Sequence, residues 1–153
     1  MTPLYAEIHG WMARPFIWGE CDCCTVLADW VARVHGVDPI ADVRGLYDDP
    51  LSCERATGFV RDPVSAIDRA LASVGRFERA ETPTAGDIAV VLPMAGDRRP
   101  TGALWLGRAW ACKGMTGATT YAPSAVQVLA IWKMNYEKSG ICCGSVGLHG
   151  ADA

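Results

Sequence analysis

Apolar residues recur at helical spacing through the first half of the chain and bunch into short extended runs through the second. In "TPLYAEIHGWM", Leu4, Ile8 and Trp11 with Met12 share one face. Thr2 is placed to cap that helix, and Pro3 stands at the first helical position, where its missing N–H costs nothing; an interruption is expected at Gly10. Cys23, Leu27, Trp30 and Val34 step by four, three and four residues, which predicts a helix from Asp22 to Gly36 with Asp22 as its cap. "DPVSAIDRALASVG" predicts another, capped by Asp62, led by Pro63 and stopped at Gly75, with Val64, Ile67, Leu71 and Val74 as its stripe. The segment between them, "GVDPIADVRGLYDDP", reads as turns, with Asp48-Asp49 in a solvated one.

After Gly75 the pattern changes. "GDIAVVLPM", "TGALWLG" and "RAWACKG" read as strands, and "PSAVQ" leads to a last strand over residues 128–134. Arg98-Arg99 fall in a hairpin loop, and Trp105, Trp110 and Trp132 alternate as sheet residues do. Helices first and strands afterwards favour α+β with a small antiparallel sheet of four or five strands over an alternating parallel sheet. Residues 1–134 are expected to form one domain. Residues 135–153, rich in glycine, read as an extended tail ordered by packing on a partner, because Ile141-Cys142-Cys143 and Val146-Gly147-Leu148 are sticky for a free end.

Composition narrows the function. The chain has 153 residues, a net charge of −3 and 50% apolar residues, so it can bury a full core and advertises no basic face for nucleic acid or anionic lipid. No stretch has the form of a signal peptide or a membrane span, and a soluble protein made in the cytoplasm is expected. There a complete framework from seven cysteines, an odd number, is not expected. No phosphate loop, dinucleotide fingerprint or zinc-peptidase helix is present.

The chemistry concentrates in "RPFIWGECDCCTVLADWV". A thiol in the first turn of a helix meets outward-pointing N–H groups and the positive end of the helix dipole, which favour thiolate. Cys23 occupies that position beside the Asp22 cap, with Trp18 and Gly19 placed to border a groove. Cys24 turns about a quarter-circle away, and Cys24, Cys53 and Cys112 read as small buried apolar residues. Cys21, Cys23, Cys142 and Cys143 are weak candidates for zinc or an iron–sulfur cluster. Their spacing is poor, since adjacent cysteines diverge on a helix, and no cofactor is expected.

"FIWGECDCCTVLADWV", "GDIAVV" and "TGALWLG", with "GVDP", "RGLY" and "AIWKM", resemble the NlpC-type papain-like cysteine peptidases that cut bacterial cell-wall peptides, and most of all a compact branch in bacteriophage and prophage tail-assembly modules. The resemblance runs from about Ala13 to about Met134. It implies a papain-like fold, with Cys23 at the nucleophile's position and Gly86-Asp87 at the turn before the first sheet strand. It also implies a virion location, with other tail proteins as partners and peptidoglycan as a possible one. The family's histidine opens the second strand, where Thr101 or Pro100 stands here. Cysteine peptidases need that imidazole to take the thiol proton and return it to the leaving amine, and Thr101 does neither. His9 lies in the first helix, His35 at the far end of the helix that Cys23 begins, roughly 18 Å away, and His149 in the tail. A structural or assembly component of a phage tail tip on a degenerate peptidase fold is the first expectation. An active wall-cleaving thiol amidase is the second, and a metal or iron–sulfur protein the third.

Overall fold

The computed structural model describes residues 2–142. Helix α1 (Pro3–Ala13) starts where Thr2 Oγ1 accepts from the Tyr5 N–H, and it runs unbroken through Gly10 because Leu4, Ile8 and Trp11 are all buried. No cation lies in its own last turn. Lys113 supplies one from across the molecule, its Nζ donating to the carbonyls of Trp11 and Arg14. Helix α2 (Thr25–His35) carries Val26, Leu27, Trp30 and Val31 into the core and ends at Gly36, whose φ of 74° lets its N–H reach the Ala32 carbonyl.

Helix α3 (Pro50–Thr57) was not expected. Asp49, which the sequence pattern places in a solvated turn, is its N-cap, exchanging hydrogen bonds with Ser52 in a capping box. Only Cys53 of that helix is buried, so no apolar stripe announced it. Helix α4 (Pro63–Ala72) begins at the Asp62 cap as expected, but only Leu71 of its stripe is fully buried.

The strands are β1 (Arg79–Ala80), β2 (Ile88–Pro93), β3 (Thr101–Trp105), β4 (Trp110–Gly114), β5 (Gly117–Tyr121) and β6 (Val126–Trp132). They form one six-stranded sheet in the order β1-β6-β2-β3-β4-β5, with every pair antiparallel. The α+β class is therefore observed, with two strands more than the pattern showed: the two-residue β1 and the half-exposed edge strand β5. Successive residues of β2 feed opposite faces. Ile88 and Val90 join the core with α1 and α2, while Ala89 and Val91 pack with Trp110, Cys112 and Ile131 on the other side. Among the described residues no helix is long and apolar enough to cross a membrane.

The expected boundary at residue 134 is not where packing stops. Met134 is fully buried, and Tyr136 packs on Trp30 with ring centroids 5.1 Å apart, directly over Gly86. Ile141 and Cys142 pack against the same core. Its own domain thus orders the start of the expected tail, because Tyr136 is an aromatic anchor in a glycine-rich context. The rest of that tail, with Cys143 and His149, lies outside the described residues.

Strand β3 meets the start of α2 at Gly102. A Cβ there would stand 2.6 Å from Leu27 Cδ1 and 2.7 Å from the Cys23 carbonyl oxygen, whereas one at Gly10 would meet open space. Gly102→Ala should therefore lower stability by roughly 1–3 kcal/mol, and Gly10→Ala should raise it by about 0.5–1 kcal/mol. Urea midpoints at constant slope measure both; equal effects of one sign would refute the close approach.

Candidate functional site

The segment that carries Cys23 is fixed by its neighbours before the helix begins. Ile17 and Cys21 pair across a tight turn, the Ile17 N–H donating to the Cys21 carbonyl at 3.0 Å and the Cys21 N–H returning at 2.7 Å. Gly19 closes the turn at φ 84°, and a Cβ on it would lie 2.1 Å from the Tyr47 carbonyl oxygen, so only glycine fits. Asp22 follows, almost wholly buried. Its Oδ1 accepts from the N–H groups of Cys24 (2.8 Å) and Thr25 (2.9 Å), and its Oδ2 from the Gly19 N–H and the Tyr47 hydroxyl, each at 2.8 Å. Thr25 Oγ1 in return accepts from the Asp22 N–H at 2.7 Å. That is a capping box, and the first helical hydrogen bond, from the Val26 N–H to the Asp22 carbonyl, places Cys23 at the start of the first turn.

Half-buried, Cys23 borders a cavity of about 320 Å³. Phe16 and Trp18, edge to face with centroids 4.9 Å apart, form one wall. Thr101 and Cys112 from the sheet, with Met115 and Tyr121 around the β4–β5 hairpin, form the other. Of the residues singled out from sequence for the site, Trp18, Cys23, Pro100 and Thr101 meet here. Gly19 and Asp22 lie beneath as scaffold, since neither lines the cavity and the carboxylate is fully occupied. Trp30 is a core residue whose Nε1 donates to the Gly86 carbonyl at 2.8 Å.

The Cys23 thiol is held below its ordinary pKa. The Cys24 thiol hydrogen-bonds to it, and the Gly102 N–H and Thr101 hydroxyl add their support, against burial and the nearby Asp22 charge. Cys24 is correspondingly pushed well up, because it gives that hydrogen bond and is itself desolvated. Burial raises Cys53 to about 11 and Cys112 to about 12. One thiol is thus set apart from its neighbours, as a nucleophile is.

Cys112 is the residue that sequence reasoning missed. It is buried, as expected of a small apolar residue, yet it also lines the Cys23 cavity beside Thr101. Only the strand register reveals this. Among the described residues no histidine lines the cavity. His9 is exposed on α1, and His35 sits against the Met134 carbonyl (Nε2 to O, 2.8 Å) and the edge of Phe77. The charged groups that do line it are Asp97, Arg99 and Lys113. The first two form an exposed ion pair at 3.3 Å, and the third is committed to the end of α1. Among the described residues no group of three or more His, Cys, Asp or Glu side chains is disposed to hold a metal, so Cys21, Cys23 and Cys142 form no such site. A separate cavity of about 250 Å³ between α2 and α4 is walled by Leu27, Val31, Ile67 and Leu71. It touches Cys24, whose thiol is held protonated, and is the poorer candidate for chemistry.

A family model described as "Domain of unknown function (DUF6950)" matches residues 2–134, and the chain belongs to that family. No curated protein and no solved structure matches it.

Iodoacetamide should label Cys23 first. Because its pKa is depressed, its labelling rate should level off at lower pH than that of a free thiol, while Cys24, Cys53 and Cys112 stay unlabelled in the folded protein. Thr101→Val removes one hydrogen bond to the thiolate and should move the plateau to higher pH. Peptide mapping after timed quenching reads both, and a Cys23 rate profile like that of free cysteine would contradict the assigned environment.

Proposed function

We propose that this DUF6950 protein is a structural or assembly component of a bacteriophage or phage-like tail tip, built on an NlpC-type papain-like fold whose catalytic pair is incomplete. One observation carries the reading: the side chain facing Cys23 from the opening of β3 is the Thr101 hydroxyl. A positioned imidazole contributes typically ~10²–10⁴-fold to acyl transfer, and a threonine hydroxyl neither takes the thiol proton nor protonates a leaving amine. The aromatic-walled cavity and the scaffold beneath it keep their value without hydrolysis, as a place to bind a segment of another tail protein or a wall peptide. The family resemblance supplies the particle, with the chain beyond Cys142 as the contact to neighbouring tail proteins. No metal or cofactor enters this reading.

A second reading, an active wall-peptide endopeptidase, is favoured by the depressed Cys23 thiol. It requires a base from outside the described residues, either His149 or a partner's histidine.

Cys23→Ala in the producing phage separates the two. For an assembly component, particle yield and infectivity should match the parent, and purified protein should release no peptide from peptidoglycan, with or without particle partners. Release that Cys23→Ala and His149→Ala both abolish would overturn the structural reading and name the base.

A further inference from the structure

The cavity between α2 and α4 has a volume of about 250 Å³. An engineered apolar cavity of about 150 Å³ stays dry and takes up benzene, because water finds too few partners in it, while pockets for drug-sized ligands start at roughly 300 Å³. The space therefore suits a small apolar body. Its floor is Leu27 and Val31 of α2, Phe59, Leu71 of α4 and Ile88 of β2, all of them buried. Side-chain size keeps the walls apart, since alanine stands at four lining positions, Ala28, Ala56, Ala66 and Ala70. Ile67 of the α4 stripe lines the same space and stays half-buried, which accounts for a stripe in which only Leu71 is fully covered.

The mouth has the opposite character. Of the polar lining residues, Asp42, Arg69 and Ser73 are exposed, and a second arginine converges on Arg69 there. A Cβ on Gly58, which lies between the lining residues Thr57 and Phe59, would stand 3.8 Å from a terminal nitrogen of Arg69 and 3.9 Å from one of Arg61. Arg69 gives the Thr57 carbonyl only a long hydrogen bond, 3.4 Å, and among the described residues neither arginine is in an ion pair. The carboxylates close by are engaged with backbone: Glu54 accepts from the Val60 and Arg61 N–H groups, and Asp62 from that of Ser65. Two like charges brought together repel, and an anion between them turns repulsion into attraction. The guanidinium fork matches a carboxylate in particular.

We infer that this cavity binds a medium-chain aliphatic carboxylate, its chain among Leu27, Val31, Ile67 and Leu71 and its head group at Arg61 and Arg69. Asp42, which joins the lining from the loop after α2, would instead favour an ammonium head, so the amine of equal length is the control. The site shares no lining residue with the Cys23 cavity. The inference therefore stands independently of the tail-tip reading.

The test titrates the full chain, with its methyl groups labelled, with sodium octanoate below its micelle concentration, and with octanol and octylamine in parallel. Octanoate should bind saturably, raise the melting temperature and give NOEs from its chain to the Val31, Ile67 and Leu71 methyl groups. Octanol should bind about tenfold more weakly, and octylamine should show no saturable binding. Arg61→Gln combined with Arg69→Gln should bring octanoate down to the level of octanol and leave octanol unchanged. Octanoate that fails to saturate, NOEs at the Phe16–Trp18 cavity instead, or octanol or octylamine binding as tightly as octanoate would overturn the inference. So would NOEs from the chain beyond Cys142 to those methyl groups before any ligand is added. The wild-type titration is decisive by itself, so a double variant that fails to fold does not obscure the outcome.

Discussion

Everything at the front of the molecule hangs on one buried carboxylate. Asp22 sits almost without solvent and, among the described residues, pairs with no cation; its charge is met by three backbone N–H groups and the Tyr47 hydroxyl. Hydrogen bonds to a charged group contribute about 1.5–3 kcal/mol each, and a buried donor left without its acceptor costs a comparable amount. The same carboxylate closes the Gly19 turn, starts α2 and tethers the loop that carries Tyr47, so the position of Cys23 follows from it. Asp87 repeats the device at the sheet. It accepts from the Thr84 N–H and hydroxyl and from the Met134 N–H, clamping the entry to β2 to the exit of β6. Trp30 joins the two halves through its bond to the Gly86 carbonyl.

On that frame the molecule holds a thiol prepared for attack, and among the described residues no imidazole lines its cavity. The preparation is local. Hydrogen bonds from Cys24, Gly102 and Thr101 outweigh burial and the Asp22 charge, so the thiolate is favoured without help from any histidine among the described residues. Acidity and catalytic competence are therefore separable in this architecture, since the hydrogen bonds that depress the thiol include none from an imidazole. The same separation leaves the thiolate free for chemistry that needs no proton shuttle.

What the sequence disclosed was decided by short-range chemistry. Thr2-Pro3, Asp62-Pro63 and Gly36 mark helix ends through groups within a few residues, and those ends lie where the pattern put them. Asp22 caps by the same rule, although the regular helix is assigned only from Thr25. Helix α3 stayed hidden because eight residues with one buried side chain leave no periodic trace, even though Asp49-Pro50 is the same kind of start signal. Strand β5 stayed hidden because an edge strand reading Gly-Ala-Thr-Thr-Tyr has little to bury. Neither the place of Cys112 at the cavity nor that of Tyr136 under Trp30 is encoded locally. The first depends on how β3 and β4 pair, and the second on a contact between residues 106 apart in the chain.

The ammonium of Lys113 has a bearing on how the chain is made. It seals the end of α1 from 102 residues away in the sequence, so α1 waits for β4 to be made before its terminal carbonyls find their cation. Contacts of such separation close late, after the intervening loop entropy has been overcome. During that interval the apolar face of α1, with Leu4, Ile8 and Trp11, has no sheet to cover it. The nascent chain is then most in need of a chaperone or of rapid synthesis, and an order of events in which α1 is fastened only once β4 has been made follows from a single side chain.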